Sequence, residues 1–426
     1  MVLEILFYIF ITVSLINILH FGFYIVGANY YDILRFRKDA KAAKQKKKRS
    51  ARPLVSVLIP AHNEEKSIIR CLESVRKSTH RKLEIIVIDD ASSDATRKLV
   101  RDYIAKHPNR NIKLLYKRKN VGKAEALNHA LKKAVTGNLV MTLDADSVID
   151  RSSIKHAVAY FDDPHIVGVA ANVRILDSKT ILGLLQKFEY MVGYRSKKFF
   201  SVTNSEFIVG GVASTYRADV LKKVGFYDDD IITEDIALSL KVVAQGNKEN
   251  RIVYGYDVIA MTEGVQTFTA LLRQRYRWKM GNLQSIMKYR HLITNKDDRY
   301  SKMLIWYRLP MAFMGEIMLL FEPIVLVFVI YICLQLASLS LIIGAYITIT
   351  LYLLWNIMPD EHMTVKKKIA MAGYAPVMYF IMYLMNIVQL VAITRCIVNY
   401  KQVLRQKNTT SVWISPERSG QRVQFS

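Results

Sequence analysis

Three short acidic motifs contain the side chains of this chain that are best suited to chemistry. They are Asp89-Asp90, Asp144-Ala145-Asp146 and Thr233-Glu234-Asp235. Two carboxylates separated by one small residue can hold a hard cation such as Mg²⁺ or Mn²⁺, which can also bind the phosphates of a ligand. A single carboxylate can accept the proton of an attacking hydroxyl group. Each motif alone is equally typical of surface acids or helix caps, so its meaning depends on the elements around it.

The first two motifs each follow an apolar segment that predicts a buried strand. Residues 54–260 alternate such segments with helical patterns, which predicts an α/β domain with a parallel sheet and right-handed crossovers. Ligands of parallel sheets bind at the carboxyl ends of the strands. We therefore expect Pro60 and the first two acidic motifs to lie at one edge of the sheet. The predicted strands are 54–60, 83–88, 113–116 and 139–143, and the predicted helices are 65–77, 95–106, 123–134 and 236–244.

A lysine and a glycine pair extend this set of candidate residues. Lys123 follows Gly122 at the start of a predicted helix, where a cation adds to a site already favourable for phosphate. An ordinary exposed lysine is the alternative. Gly210 and Gly211 would allow the backbone to approach a ligand closely, or they would form a simple turn. Both alternatives remain open from the sequence.

Apolar residues are concentrated at the two ends of the chain, and they make up 51% of its 426 residues. Residues 3–26 exceed the roughly 20 residues that span a bilayer. We interpret them as an uncleaved anchor rather than a signal peptide, because the apolar run is long and its positive charge follows it. Further spans are predicted at 312–336, 339–358 and 370–398, and the sequence leaves their number open.

Much of the net charge of +25 lies beside these apolar segments. Residues 35–52 form a run of lysines and arginines that contains a single acid, Asp39. A basic run that follows an apolar helix is typical of the cytoplasmic side of a membrane, and it attracts anionic lipids. This distribution favours membrane lipids over nucleic acid as a partner.

A fourth motif, Gln274-Arg275-Tyr276-Arg277-Trp278, precedes the C-terminal apolar region. In a helix, Gln274 lies on the same face as Arg277 and Trp278. An indole offers a flat apolar platform for a sugar ring, and a guanidinium offers forked donors for a diphosphate. An amphipathic helix at a membrane interface is the alternative, because Arg and Trp are favoured there too.

The order and spacing of these motifs resemble the membrane-embedded processive glycosyltransferases of family 2, which include chitin, hyaluronan and cellulose synthases. The fourth motif resembles their Q-x-x-R-W signature, and the segment from Asn120 to Asn128 resembles their N-x-G-K-A-x-A-L-N motif. The segment Trp413-Ile414-Ser415-Pro416-Glu417-Arg418 resembles the tail of bacterial poly-N-acetylglucosamine synthases. The resemblance extends over nearly the whole chain, from Leu54 to Arg418.

The resemblance implies a role for each candidate residue. Asp235 would be the catalytic base and Glu234 would support it, while Asp144 and Asp146 would hold Mg²⁺ or Mn²⁺. The implied donor nucleotide site consists of Pro60, Ala61, Asn63, Glu64, Asp89, Lys123, Asp144 and Arg277. The implied acceptor site consists of Gly210, Gly211, Gln274 and Trp278.

The resemblance also implies an architecture. It is an α/β, GT-A (Rossmann-like) catalytic domain on the cytoplasmic side, inserted between N- and C-terminal transmembrane helices of a multi-pass cell-membrane protein. The expected divisions are an anchor at 1–34, a basic linker at 35–52, the catalytic domain at 53–296, an interfacial helix at 297–311, a transmembrane region at 312–398 and a basic tail at 399–426.

The implied activity is that of a processive, inverting β-glycosyltransferase. It would polymerise sugar from a UDP-sugar, with UDP-N-acetylglucosamine as the preferred donor, and export the polysaccharide. Its partners would be the UDP-sugar, the growing polysaccharide and membrane lipids, without nucleic acid and with room for a small accessory membrane subunit. The alternatives are single addition to a lipid-linked acceptor, a hyaluronan- or chitin-type synthase, and a receptor that binds nucleotide sugar without turnover.

Overall fold

Strands and helices alternate through the central part of the chain, as the sequence pattern predicts. The computed structural model describes residues 2–44, 52–176, 180–335 and 339–404. The motif at 413–418 lies outside these residues. The strands are β1 (Val55–Ala61), β2 (Leu83–Asp90), β3 (Ile112–Lys117), β4 (Leu139–Thr142), β5 (Val148–Ile149), β6 (Ile166–Ile175), β7 (Ser214–Arg217) and β8 (Arg251–Thr262).

The described helices surround this sheet and continue beyond it at both ends of the chain. They are α1 (Val2–Lys44), α2 (Ile68–Arg76), α3 (Thr96–Lys106), α4 (Lys123–Lys133), α5 (Ser153–Tyr160), α6 (Ile181–Val202), α7 (Ala218–Lys223), α8 (Glu234–Val243), α9 (Phe268–Lys288), α10 (Leu309–Gln335), α11 (Leu339–Ile357), α12 (Val365–Val398) and α13 (Tyr400–Leu404).

The described strands form one mixed sheet in the order β3-β2-β1-β4-β7-β6-β8-β5. Strands β1 to β4 are parallel, as the alternation of strands and helices predicts. The second half is different, because β7 is antiparallel to both β4 and β6. The sequence did not indicate this change, since β7 has only four residues and too few alternating positions to give a strand pattern.

Apolar side chains cover both faces of the sheet because alternate residues of a strand point to opposite sides. On one face, Val57 and Val87 pack with Leu72 of α2 and Val100 of α3. On the other face, strand residues pack against the apolar sides of α4 and α8, as Ile86 does beside Leu127 and Leu238. The sheet is therefore the middle of three layers, and its strand ends are held in fixed positions.

The carboxyl ends of β1, β2 and β4 meet at one edge of the sheet. Ala61 at the end of β1 pairs with Asp89, and Leu58 pairs with Thr142 at the end of β4. The loop after β4 begins with Leu143 and Asp144. This register brings the first two acidic motifs to the same edge, as predicted.

Two described helical segments are long and apolar enough to cross a membrane: Met303–Ile332, which ends within α10, and Phe380–Val398 in α12. They overlap two of the predicted spans, and a shorter apolar segment, Tyr346–Ile357, overlaps a third. Pro323 lies inside α10 and Pro376 inside α12. Helix α1 packs along α6, while α9 packs against α12. The apolar helices thus contact the sheet domain mainly through α6 and α9.

Two predicted boundaries do not coincide with helix ends. Helix α1 continues to Lys44 and passes the boundary predicted at residue 34. A π-helical turn, Met303–Arg308, runs directly into α10 and passes the boundary predicted at residue 311. Pro310 directly follows this π-helical turn, as the second residue of α10. Residues 297–302 precede the helix, and there the Arg299 N–H donates to Asp297 Oδ1 at 2.9 Å.

The two acids within α10 both have hydrogen-bond partners on neighbouring helices. Glu316 accepts from Lys279 Nζ at 2.7 Å and from Asn282 Nδ2 at 3.1 Å, both on α9. Glu322 accepts from Asn386 Nδ2 of α12 at 2.5 Å. A carboxylate among apolar residues is costly unless it is paired, so these contacts explain how α10 carries them.

Candidate active site

Lys123 joins two of the acidic motifs at the edge of the sheet. Its Nζ lies 2.7 Å from Asp144 Oδ1 and 2.9 Å from Glu234 Oε1. Although burial opposes the charge, the carboxylates of Asp144 and Glu234 raise the pKa of Lys123 well above its ordinary value. Lys123 is therefore a fixed cation. These ion pairs show that Lys123 is not an ordinary exposed lysine, and its contact with a donor stays a prediction.

Asp90 holds the loop that presents Lys123. Its carboxylate accepts hydrogen bonds from the Val121 N–H at 3.0 Å and the Gly122 N–H at 2.9 Å. Gly122 has a φ of +88°, which lets the chain turn sharply into α4. The sequence-based assignment gave Asp90 no role of its own. Only its place in the Asp89-Asp90 pair at a strand end pointed to it.

Asp89 is fully buried, and both of its carboxylate oxygens have partners within the protein. Arg97 Nε donates to Oδ2 at 2.6 Å, and the Ser92 N–H donates to Oδ1 at 3.3 Å. Asp89 does not cap α3, because the N-cap position of that helix is Ala95. Asp89 thus braces the start of α3 through Arg97.

The loop after β1 is fixed to the loop after β2. Asn63 has a φ of +54°, its N–H donates to Ser92 Oγ at 2.9 Å, and its Oδ1 accepts the Ser93 N–H at 2.8 Å. Glu64 is buried, and its carboxylate accepts from Ser67 Oγ at 2.6 Å. Among the predicted nucleotide residues here, Asn63 is exposed, whereas Pro60, Ala61, Glu64 and Asp89 are buried.

The two carboxylates of the D-x-D motif have different partners. Asp144 binds Lys123, while Asp146 Oδ1 accepts from Ser147 Oγ at 2.8 Å and from Thr262 Oγ1 at 3.4 Å. Within the residues that the structure describes, no cluster of three or more His, Cys, Asp or Glu side chains could hold a metal ion. Mg²⁺ and Mn²⁺ need fewer protein ligands when substrate phosphates supply the rest, so two carboxylates fit such an ion.

Gly211 lies directly against this ion pair. A Cβ at this position would be 2.7 Å from Lys123 Nζ and 3.7 Å from both carboxylate oxygens of Asp144. At Gly210, by contrast, no atom lies within 4 Å of such a Cβ. At Gly211 the backbone therefore packs directly against the Lys123 ammonium group, which leaves no room for a side chain. Close approach of this backbone to a ligand stays a prediction.

Asp235 is the partly buried acid at the start of α8, next to Glu234. Its Oδ1 accepts the N–H of Ile236 at 2.8 Å. Burial and the neighbouring charge of Glu234 raise the pKa of Asp235 to about 6, against the opposing effects of Lys123 and of this N–H. A carboxylate whose pKa lies close to neutral is well suited to accept a proton.

This pKa predicts an acid limit on activity. Because a base must be deprotonated and the pKa of Asp235 is raised, kcat/KM should fall as the pH drops through about 6, by roughly tenfold per pH unit below it. Glu234→Gln removes the negative neighbour and should move this limit to lower pH. A pH profile of kcat/KM measures both effects. A limit that stays in place in Glu234→Gln would contradict the assigned coupling.

The helical motif at 274–278 lies on α9, with Trp278 36% exposed and Arg277 exposed. Arg275, to which the sequence gave no role, is buried beneath them. Its guanidinium stacks on the Trp278 ring with 4.1 Å to the centroid and binds Glu189 of α6 at 2.5 Å. Burial raises the pKa of Glu189, and the guanidinium opposes this. Arg275 therefore fixes the indole. Because Glu189 lies 86 residues earlier in the chain, no local sequence pattern links it to Arg275.

Helix α9 also contacts the loop that leads into Glu234 and Asp235. At Gly281, a Cβ would be only 2.2 Å from Thr233 Oγ1. Nearby, Gln284 Oε1 accepts the N–H of Ile232 at 3.2 Å. The helix that carries Trp278 and the loop that precedes Asp235 thus fit together without a gap.

Gly281→Ala should slow any reaction that depends on Asp235. The new methyl group needs the space of the Thr233 side chain, so the following residues must shift. A displacement of about 1 Å at a catalytic group costs roughly a hundredfold in rate. Gly193→Ala is a matched control, since Gly193 is also helical and has nothing within 4 Å of an added Cβ. Equal turnover of the two variants would contradict the coupling.

The fold and the cluster of Lys123, Asp144 and Glu234 agree with a glycosyltransferase, which is the class that the following comparisons indicate. Residues 56–225 match the sequence profile of Glycosyl transferase family 2, and the fold is the GT-A glycosyltransferase fold with a mixed sheet. This match covers less than half of the chain and agrees with the family that the order of its motifs predicted.

The chain is also similar to two curated poly-β-1,6-N-acetyl-D-glucosamine synthases. It is 31% identical over 271 residues to the enzyme of Staphylococcus epidermidis (strain RP62A), which covers 62% of this chain and 63% of the relative. It is 33% identical over 241 residues to the enzyme of Staphylococcus aureus (strain COL), which covers 55% of this chain and 56% of the relative. The matched region spans less than two thirds of the length of either relative.

A solved structure supports the fold assignment. A mannosyltransferase from Pyrobaculum calidifontis, in complex with GDP-Man and Mn²⁺, superposes with a TM-score of 0.52 at 20% identity. The match covers 84% of this chain and 98% of the mannosyltransferase. At this level of identity the similarity concerns the fold alone.

Proposed function

We propose that this protein is a membrane-bound, processive, inverting β-glycosyltransferase that polymerises sugar from a UDP-sugar, with UDP-N-acetylglucosamine as the preferred donor. The observation that carries this proposal is the cluster at the sheet edge, where Lys123 joins Asp144 to Glu234 beside Asp235. The similarity to the staphylococcal synthases supports the choice of sugar.

The donor would bind along the loops that follow β1, β2 and β4. Asn63 is the exposed residue of the predicted nucleotide set there, and Lys123 supplies a fixed positive charge for the diphosphate. Asp144 and Asp146 would hold Mg²⁺ or Mn²⁺ in the loop that follows β4. Such an ion, when bound, neutralises negative charge on the departing diphosphate.

Asp235 would act as the base, with Glu234 in support. It accepts the proton of the acceptor hydroxyl as the hydroxyl oxygen forms a bond to the anomeric carbon of the donor. The bond from that carbon to the phosphate oxygen breaks, and UDP leaves with the electron pair. Because the attack comes from the face opposite UDP, an α-linked donor gives a β-linked product.

Helix α9 would present the acceptor to this site. Trp278 offers a partly exposed indole face to the terminal sugar, and Arg275 and Glu189 hold that indole in place. In this proposal Arg277 binds the diphosphate, while Gln274 and Gly210 complete the acceptor site. The contact between Gly281 and Thr233 sets the distance between acceptor platform and base.

The apolar helices would place the reaction at the inner surface of the cell membrane. The candidate spans end within α10 and α12, and α1 includes the apolar segment at 3–26. The proposed protein is multi-pass, with a cytoplasmic catalytic domain that passes the growing chain outward. Membrane lipids, and in some settings a small accessory subunit, complete the proposed assembly.

Product analysis tests this proposal against its alternatives. The purified chain is incubated with a panel of UDP-sugars, and the products are separated by length and examined for linkage. Long β-linked polymers of N-acetylglucosamine are expected. Products with one added sugar would show a single-addition transferase. A polymer that contains a second sugar would show a hyaluronan-type synthase, and an N-acetylglucosamine polymer with 1,4 rather than 1,6 linkage would show a chitin-type synthase. No UDP release from any donor would favour a receptor.

A further inference from the structure

A cavity of about 900 Å³ lies beside α6. Its walls are the outer strands β6 and β8, helix α6, the end of α1 and the segment that joins α11 to α12. None of Lys123, Asp144, Glu234 or Asp235 lines it. It is therefore distinct from the proposed transfer site. Its cationic lining residues are Arg35, Arg174, Lys187, Arg195, Lys198 and Lys367.

Cations outnumber acids in this cavity. Its acidic lining residues are Asp150, Asp257, Asp360 and Glu361. Two of these acids already form ion pairs. Arg174 Nη2 binds both carboxylate oxygens of Asp360 at 2.8 Å, and Arg35 pairs with Glu361. Lys198 binds Asp32 of α1 at 2.7 Å. With neutral histidines, six cations against four acids leave a net charge of +2 on the lining.

Three of these arginines retain unused donors. The Nε atoms of Arg35, Arg174 and Arg195 are buried and have no hydrogen-bond acceptor. Arg35 and Arg195 are each only 9% exposed, so bulk water does not satisfy them. A buried donor without a partner costs about 1–3 kcal/mol, and an acceptor-rich anion toward which the guanidinium groups turn would recover that cost.

Burial of Arg195 and Lys198 also favours a bound anion in this cavity. The Nη2 of Arg195 donates to the neutral side chain of Asn29 at 2.8 Å, and Asp32 is 3.9 Å from Nη1. Removal from water lowers the pKa of Arg195 and the pKa of Lys198, and the negative charge of Asp32 only partly offsets it. An added anion would stabilise both charges.

The cavity lies next to the apolar helices. Its wall includes Met371 of α12, and Val365 and Ile369 on the same helix are exposed apolar residues. Tyr254 and Tyr256 of β8 also line it. A wall that combines arginines, lysines and tyrosines beside exposed apolar residues is typical of a site for a phosphate group at the membrane surface.

We propose that this cavity binds a phosphate-bearing anion, taken either from an anionic phospholipid headgroup or from a soluble organic phosphate. The phosphate oxygens would accept from the unused guanidinium donors and from Lys198. The ligand would tie together α1, α6 and the segment at 359–363, which meet at this cavity. This site does not depend on the proposed transferase reaction.

Binding measurements on the full-length chain in non-ionic detergent test the proposal. One arm compares binding of phosphatidylglycerol with that of phosphatidylcholine by native mass spectrometry. The other measures the thermal shift produced by inorganic pyrophosphate. Preference for phosphatidylglycerol identifies a lipid source, and a pyrophosphate shift that depends on the cavity residues identifies a soluble one. The absence of both overturns the proposal.

Substitutions assign the binding to this cavity. Arg195→Gln removes a buried donor and should weaken binding about tenfold. The double variant Lys187→Gln with Lys367→Gln changes partly and fully exposed residues of the lining, so it tests the site even if Arg195→Gln fails to fold. Lys302→Gln is the control, since Lys302 is an exposed lysine outside the cavity. Pyrophosphate that binds at Lys123 contributes equally to the thermal shift of every variant, so differences between variants report on the cavity. Equal binding by the double variant and the control overturns the assignment.

Discussion

Asp235→Asn should abolish sugar transfer and leave UDP binding intact. The substitution keeps the shape of the side chain and the hydrogen bond from the Ile236 N–H, but it removes the group that accepts the proton. Loss of a positioned base typically costs about 10²–10⁴-fold in rate. Transfer is measured as UDP release and as polymer formation, and UDP binding is measured by calorimetry.

Asp229→Asn is the matched control for this variant. Asp229 is an exposed acid in the same segment of the chain, and it should tolerate the change. Two outcomes would contradict the assigned role of Asp235. One is a transfer rate close to that of the unmodified protein, and the other is loss of UDP binding in a variant that remains folded.

Removal of divalent metal should stop transfer, and Mg²⁺ or Mn²⁺ should restore it. The two carboxylates of the D-x-D motif lie in the loop after β4 at the sheet edge, and a cation there supplies several kcal/mol of stabilisation to a departing diphosphate. That contribution corresponds to a loss of about a hundredfold or more in rate. The measurement is UDP release in chelator, followed by titration with each metal.

Asp144→Asn links this metal requirement to a residue. The variant should need more metal for half-maximal activity and should stay slow at saturation. Asp102→Asn, an exposed acid on α3, should respond to metal as the unmodified protein does. Full activity in chelator would exclude the metal assignment for Asp144 and Asp146, whatever the variants show.

The parts of this site that could be predicted from the sequence are those carried by local pattern. Strands β1, β2 and β4 are apolar runs, and their ends bring Asp89 and Asp144 to one edge because parallel strands align their carboxyl ends. Lys123 could be placed at a helix start from Gly122 before it. Strand direction after β4 could not be predicted, since the short β7 lacks a periodic pattern.

Contacts between residues far apart in the sequence could not be predicted. The binding of Glu189 by Arg275, and the fit of Gly281 against Thr233, depend on how α9 packs on α6 and α8. The same limit applies to Asp89, whose partner Arg97 depends on the register of α3. In the sequence, each of these residues could be an ordinary surface or helix residue. Only the packing of the folded chain reveals its specific contact.

The net charge around the Lys123 ion pair affects whether the nucleotide binds with or without its divalent cation. Asp144, Asp146, Glu234 and Asp235 carry four negative charges when ionised, and Lys123 carries one positive charge, so the resting cluster has a net charge of −3. A free nucleotide diphosphate is itself an anion and is repelled by such a cluster. We therefore expect the nucleotide to bind as its complex with the divalent cation, and the metal-free nucleotide to bind poorly.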